Sequence, residues 1–532
     1  MAGLLISRRD LEFQLYEWLD AEALCAAPRH AEHSRETFDA VLDGCERLAN
    51  ECFAPHYQTS DRQEPVFEDG RVRLPEEVGQ AVRAFADSGM AVATLDARFG
   101  GMQLPGVVEQ AALSYLYAAN IATCAYPMLS LANARLLLAH GSPAQVEAFA
   151  RPQLEGRWLG TMCLSEPQAG SSLADVATRA EYEGDSAFGP QYRISGRKMW
   201  ISGGEHELAD NIVHLVLAKI PGDDGRLPAG VQGLSLFAVP RVLVDADGRL
   251  DERNDVALAG INHKMGYRGT VNCALNFGEG VAHRPGGRAG AIGYRIGGAG
   301  EGLACMFHMM NEARIGVGMG AVALGYTGYL HALDYARNRP QGRLPGAAGK
   351  DPASPQVPLV AHADVRRMLL AQKASVEGGM GLALYCARLL DQARIAAEAG
   401  DADGHARATA LLDILTPVAK SWPSQWCLAA NDLAIQVHGG YGYTREYKVE
   451  QLYRDNRLNP IHEGTHGIQA QDLLGRKVRM HGGAALRAYT GLLDAAIARA
   501  RAQGLDAAAG ALQPRLQRLL EVAARLGVGD DA

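Results

Sequence analysis

Residues 461–470, IHEGTHGIQA, can be read in two ways, and the choice decides what kind of protein surrounds them. His462 to His466 is a literal H-E-x-x-H, which makes a zinc site when a helix sets both histidines one turn apart with the glutamate between them as base. The other reading is a short loop presenting one carboxylate, Glu463, to take a proton from carbon. The zinc reading needs a regular helix, and Gly464 and Gly467 would each cost it about 1 kcal/mol. No H-x-x-G-x-x-H continuation follows His466; the chain runs on as GIQAQD. The match is therefore read as coincidence, no metal is expected, and the loop reading is carried outward.

The loop belongs to a chain of 532 residues. Cores stop growing at roughly 250–300 residues, so roughly two to four packed units are expected. With 48% apolar and 21% charged residues the composition is that of a soluble globular protein. A net charge of −8 argues against a nucleic-acid surface. The nine cysteines are odd in number and form no C-x-x-C pair, which disfavours disulfide scaffolds and zinc ribbons and points to a reducing, cytoplasmic setting. Arg8, Arg9 and Asp10 interrupt the N-terminus before a secretory signal could form. The longest uncharged run is read as Ile315–Leu330, which falls short of the ~20 residues of a membrane span. It also carries five glycines, so it reads as a buried helix in close contact with its neighbours, and no membrane span is expected.

Pattern divides the chain. After an N-terminal extension (1–38), residues 39–158 show apolar positions at three- and four-residue steps, as in DAVLDGCERLANECF and VEQAALSYLYAANIA. Pro75 followed by two acids marks one helix start. Between 159 and 283 the texture changes to short β-branched and aromatic runs, such as NIVHLVLAKI and GLSLFAVPRVLV, separated by Gly, Pro, Asn and Asp; antiparallel strands are expected. From 284 to 478 long helical stretches return, with a Gly/Pro-rich loop at 341–356, and 479–532 reads as a tail of two further helices. The fold class is mainly α with a central β domain. The βαβ alternation of a doubly wound sheet is absent.

Several motifs have a plain structural reading beside a functional one. Gly318-Met-Gly-Ala-Val-Ala fits G-x-G-x-x-A, yet it lies inside a helical pattern with no strand before it, so close helix packing is preferred to dinucleotide binding. CLSEPQAGSS, from Cys163, is a strand end broken by Pro167 and followed by a small-residue turn, which is an ordinary loop or one whose N–H groups suit a polar cofactor. Trp200 in KMWISGG could be core or a cofactor wall. Gln436 to Tyr443, QVHGGYGY, closes a helix with glycines and could equally meet a diphosphate. Arg339 near a helix C-terminus needs no function, since its charge is welcome there.

Taken in order, EPQAGSS, KMWISGG, NEARIGV, RNRPQGR, QVHGGYGY and RDNRLNPIHEGT resemble the acyl-CoA dehydrogenase family over roughly residues 40 to 478. RRDLEFQLYEWL, HKMGYRG (263–269), EGTHGIQAQDLLGRK and the C-terminal tail look most like the branch that contains the 3-methylmercaptopropionyl-CoA dehydrogenases. The resemblance implies an N-terminal helical domain, a middle antiparallel β domain and a C-terminal helix bundle, holding FAD without a covalent bond. Leu164, Ser165, Gly170 and Ser171 would line the flavin, Trp200 and Ser202 would cover one of its faces, and Ile201 between them would also contact the cofactor. Arg339 would pair with the diphosphate. Gln436, Gly439 and Gly440 would reach the FAD of a neighbouring subunit in a dimer or tetramer, and Thr465 and Gly467 would lie near the cofactor. Ser171, Asn311, Arg314, His462 and Gly464 would face the acyl-CoA.

The implied reaction is α,β-dehydrogenation in fatty acid-type metabolism. Glu463 removes the α-proton, flavin N5 accepts the β-hydride, a trans-2-enoyl-CoA results, and electrons pass to an electron-transfer flavoprotein. Gly464 would let the Glu463 N–H approach the thioester oxygen. Some relatives carry the base on the first long helix of the C-terminal domain; here that position is Ala313, and neighbouring Glu312 is turned away by about 100°. The family's usual Tyr before the base is His462, and residue 466 is also His, so the family's usual acyl contacts are altered there, and a nearby imidazole could tune Glu463 with pH. An acyl-CoA oxidase on the same scaffold would use the same residues. A DNA-associated flavin relative is the non-catalytic alternative, opposed by the acidic net charge and the intact base.

Overall fold

The structure, a computed structural model, describes residues 4–245, 247–347 and 349–525, without the side chains of residues 308, 309 and 311. The N-terminal domain is built on three helices. α1 (Arg35–Leu48) starts in a capping box, Ser34 Oγ accepting from Thr37 N while Thr37 Oγ1 accepts from Ser34 N, and it buries Phe38, Leu42 and Cys45. α2 (Glu76–Asp87) begins after Pro75 with Glu76 and Glu77 in its first turn. α3 (Gly106–His140) is the central element, broken at Asn120 (φ −163°, ψ +87°), and the Asp391 carboxylate caps its start by accepting from Gly106 N at 2.7 Å and Val107 N at 2.9 Å.

α3 corrects one sequence reading. Residues 110–134 carry no charge, a longer run than Ile315–Leu330, and α3 is the one helix among the described residues long and apolar enough to cross a membrane. Here it is buried on most sides between the other helices and the sheet, which is why it is apolar nearly all round.

The middle domain holds β1 (Trp158–Cys163), β2 (Arg179–Ser186), β3 (Gly189–Ser202), β4 (Asn211–Lys219), β5 (Leu234–Pro240), β6 (Val256–Ile261), β7 (Asn272–Phe277) and β8 (Ala291–Ile296). The sheet order is β6-β7-β3-β8-β5-β4-β1, with β2 on β3 and touching β4. Two expectations are corrected. β1 runs parallel to β4, Trp158 opposite Asn211, because the β2–β3 excursion separates them and no hairpin forces reversal. The sheet also continues past residue 283, since AIGYRI forms β8 between β3 and β5; the Gly-rich turns on either side hide this short strand in the sequence.

The bundle consists of α4 (Gly302–Asn338), α5 (Ala363–Glu398) and α6 (Ala402–His438), with short α7 (Val449–Asn456) and α8 (His466–Asp472) at its end. The glycines of 315–330 serve packing, as expected. A Cβ on Gly318 would stand 2.0 Å from the Ala419 carbonyl oxygen and 3.6 Å from the Lys420 Cα, so α4 and α6 meet backbone to backbone. The tail forms two helices, α9 (Met480–Ala502) and α10 (Asp506–Arg525); residues 526–532 lie outside the described residues. The N-terminal extension is pinned to the bundle, Tyr326 Oη donating to Asp10 Oδ2 at 2.6 Å and Thr327 Oγ1 to the Leu5 carbonyl at 3.1 Å.

One carboxylate joins all three domains. Asp455 on α7 accepts from Tyr57 Oη at 2.8 Å and from Tyr267 N at 2.6 Å, while neighbouring Arg454 holds Asp61 at 2.7 Å. Asp455→Ala is expected to cost about 3 kcal/mol by leaving buried donors unsatisfied. Burial pushes the Asp455 carboxyl from 3.8 up to about 6. A raised folded pKa gives stability that is full at low pH and lost as pH rises through about 6. Thermal melts should therefore show a larger deficit for the variant at acid pH than at pH above neutrality.

Candidate functional site

Residues 461–465 form an irregular turn, and helix α8 begins only at His466 with Thr465 as its N-cap, its hydroxyl accepting from Ile468 N at 3.4 Å. The histidines thus do not share a helical face. His462 Nε2 bonds Asn459 Oδ1 at 3.0 Å and meets the Tyr267 ring edge-on at 6.2 Å, whereas His466 Nδ1 bonds Ser421 Oγ at 2.5 Å. The helix that H-E-x-x-H requires is not there.

The turn bends sharply at the base. Glu463 has φ +50° and Gly464 φ +92°, and a left-handed non-glycine residue is strained by roughly 1–2 kcal/mol. Main-chain clamps hold it: Gln469 Nε2 donates to the Glu463 carbonyl at 2.9 Å, and Lys420 Nζ donates to the Gly464 carbonyl at 2.6 Å. Among the described residues no hydrogen bond is made to the Glu463 carboxylate itself. Burial raises its pKa, with the charges of Lys420 and Arg314 pulling the other way. A half-buried carboxylate of raised pKa, held by its backbone and free at its oxygens, suits a general base.

Arg314, on α4, is buried and spends its charge on Asp472, at 2.6 Å. Glu312 faces away from this cluster and pairs with Arg135 at 3.2 Å, as the helical step implies. Asn311 lies on α4, but its side chain is outside the described residues. His462 does not supply imidazole tuning of Glu463 near neutrality: burial, helped by the Lys420 charge, lowers its pKa to about 3, so it stays neutral at working pH.

A second group of candidates gathers at the end of β1 and on β3. Glu166 is buried in a tight turn closed by Glu166 N to the Ala169 carbonyl at 2.9 Å, and its oxygens accept from Lys198 Nζ at 3.0 Å, Thr178 N at 3.0 Å and Ala177 N at 2.9 Å. Burial pushes this carboxyl up, yet Lys198 and Thr178 outweigh it and hold it below its ordinary range. Lys198 also donates to the Leu164 carbonyl at 3.0 Å, and Met199 N to the Ser165 carbonyl at 3.0 Å, so the 164–171 turn is tied to β3. Gly170 and Ser171 are exposed. A bulge against β7 sets Trp200 at φ +65°, leaving its ring 60% exposed. Ile201 points the other way into the sheet core, so only its backbone is available there. Ser202 Oγ accepts from Asn272 Nδ2 at 3.2 Å, and the segment from Tyr267 to Asn272 links this surface to the base loop.

A third group lies at the far corner of the bundle. Stacking of Tyr335 on His438, centroids 4.4 Å apart, brings the end of α4, with exposed Arg339, beside the end of α6, with exposed Gln436, Gly439 and Gly440. Gly439 caps α6 at φ +62°. Sequence reasoning missed Lys420, Gln469 and Asn459. For Lys420 a signal existed: Thr416, Lys420, Ser424 and Cys427 mark one inward stripe of α6, and a lysine on such a stripe needs a partner.

Comparison with known proteins agrees with this layout. The family model for the acyl-CoA dehydrogenase middle domain matches residues 161–279, and that for the C-terminal domain matches residues 300–478. A 3-methylmercaptopropionyl-CoA dehydrogenase from Ruegeria pomeroyi is 37% identical over 98% of this chain and 84% of its own. The subunit CarC of the caffeyl-CoA reductase–Etf complex of Acetobacterium woodii is 28% identical over 65% of this chain and 75% of its own. Caenorhabditis elegans ACDH-11, solved in complex with C11-CoA, shares the fold at a TM-score of 0.75 and 20% identity, covering 97% of this chain and 82% of that one. On the strength of the Ruegeria relative and the two domain matches, this chain is an oxidoreductase of the acyl-CoA dehydrogenase family, whose members are FAD-dependent.

Proposed function

We propose that the chain dehydrogenates an acyl-CoA thioester to the trans-2-enoyl-CoA, with Glu463 as the base, FAD as bound cofactor and an electron-transfer flavoprotein as electron acceptor. The observation that carries this is the Glu463 turn: a carboxylate of raised pKa, unbonded at its oxygens, on a clamped left-handed backbone.

The residues present fit the cofactor. A tryptophan standing 60% exposed on a strained bulge is costly in water and suited to covering a flat ring; the Ser165 carbonyl is tied to the same strand through Met199 N, and Ser202 follows two residues on. When bound, FAD supplies the acceptor for the hydride that leaves Cβ. Glu463 takes the α-proton; the carbonyl of the thioester gathers the negative charge. Among the described residues the Glu463 N–H makes no hydrogen bond, which leaves it able to donate to that oxygen as charge develops. Gly464 and His462 border the acyl group, with His462 neutral and oriented by Asn459. Thr465 and Gly467 flank the turn, where a cofactor edge could approach.

The corner of Arg339, Gln436, Gly439 and Gly440 supports a site shared between copies. At a rise of ~1.5 Å per residue, Arg339 lies about 37 Å along α4 from Arg314. Arg314 acts on Glu463, so the corner stands at the opposite end of α4 from the base, which supports its serving the FAD of a neighbouring subunit in a dimer or tetramer. Nine free cysteines support a reducing, cytoplasmic setting. The name of the CarC relative supports the choice of electron-transfer flavoprotein over oxygen.

The test is an anaerobic titration of the yellow protein with acyl-CoAs of graded length and thioether content. At least one should bleach the flavin. A flavin that none of them reduces would sink the reading, and stoichiometric peroxide in air would replace the dehydrogenase with an oxidase.

A further inference from the structure

We propose that Lys420 is a positioning residue for proton abstraction: its buried ammonium ties down the Gly464 carbonyl, which fixes the turn that aims Glu463, and it stands as the counter-charge to that carboxylate. This rests on the reading of Glu463 as the base.

The geometry is specific. Lys420 is fully buried on α6 and donates to the Gly464 carbonyl at 2.6 Å. The next residue, Ser421, holds His466 at 2.5 Å, so one turn of α6 grips the loop on both sides of Thr465. A left-handed glutamate does not persist without such clamps, because its relaxed backbone lies elsewhere. From α4 the facing group is Arg314, whose charge is taken by Asp472, itself also paired with Arg476 at 2.7 Å. From the loop itself the facing groups are Glu463, His462 and His466, the last also near Arg457. His462 is neutral, and Arg314 already has its carboxylate. Of the two cations that act on Glu463, Lys420 is thus the one whose charge, among the described residues, no other carboxylate claims by a hydrogen bond.

Burial lowers the Lys420 pKa to about 8, with Glu463 opposing that shift and Arg314 adding to it. The ammonium form therefore prevails at neutral pH and favours the ionised base. Losing the charge should move the Glu463 titration to higher pH, and a guanidinium should restore it.

The deciding measurement needs no substrate. Infrared difference spectra of the holoenzyme, with the Glu463 carboxyl band assigned against Glu463→Gln, give its titration directly. Lys420→Met is expected to shift that titration upward and to slow anaerobic flavin reduction by butyryl-CoA, or by the fastest acyl-CoA of the panel, about tenfold at pH 7. The deficit should shrink at high pH. Lys420→Arg should return the titration to the wild-type position. Two variants slowed equally at every pH with the band unmoved would overturn the proposal in favour of a merely structural lysine. Should Lys420→Met not fold, the Lys420→Arg titration decides: because arginine stays charged, any upward shift there also overturns it. Normal bleaching by Glu463→Gln would instead defeat the assignment of the base, an outcome the Lys420 titration does not mimic.

Discussion

Glu463→Gln is expected to stay yellow, bind acyl-CoA and yet reduce its flavin about 10²–10⁴ times more slowly than the parent protein. Removal of a positioned base forfeits roughly that factor, and the amide cannot accept the α-proton. The substitution is nearly isosteric, and the turn is held through main-chain carbonyls by Lys420 and Gln469, so the backbone should survive. Stopped-flow bleaching under anaerobic conditions, beside the flavin-to-protein ratio, reads both halves of the expectation. A variant that bleaches within tenfold of the wild-type rate would mean that another group takes the proton. Glu312, bound to Arg135, is poorly placed for that.

Glu166→Ala should be purified without flavin and melt early. The Glu166–Lys198 pair is buried on both sides, and removing one partner leaves an uncompensated charge at a cost of about 3–5 kcal/mol. The same carboxylate accepts from Thr178 and Ala177, so the turn over Leu164–Ser171 loses its internal frame as well. Lys198 would keep its bond to the Leu164 carbonyl with no anion beside it. Glu166→Gln, able to accept from Thr178 but not to neutralise Lys198, should fall between. Flavin content by absorbance and thermal melts monitored by circular dichroism would show this order; full flavin retention in Glu166→Ala would mean that the turn does not support the cofactor.

Much of this arrangement was legible in the sequence because it depends on local pattern. The helical periods, the short β-branched runs and the glycine stripe of α4 each impose their own geometry, and the improbability of a helix through Gly464 was enough to set zinc aside. What escaped notice was non-local. The parallel pairing of β1 with β4 depends on where a strand returns after a long excursion, and β8 is short and framed by glycines. Asp391 capping α3 and Lys420 meeting Gly464 join positions far apart in the chain, and no periodicity announces such pairs. Ile201, counted among the cofactor contacts, turns its side chain to the opposite face, because strand side chains alternate, so only its backbone is available there.

The bare backbone of Gly318 reaches beyond packing. It lets α4 settle directly against Ala419, one residue from Lys420 and one turn from Arg314. A methyl group there would act as a wedge against the Ala419 carbonyl, spreading the two helices that carry the cations looking onto Glu463. The spacing of charge around the base is therefore set in part by a hydrogen atom where other residues carry carbon.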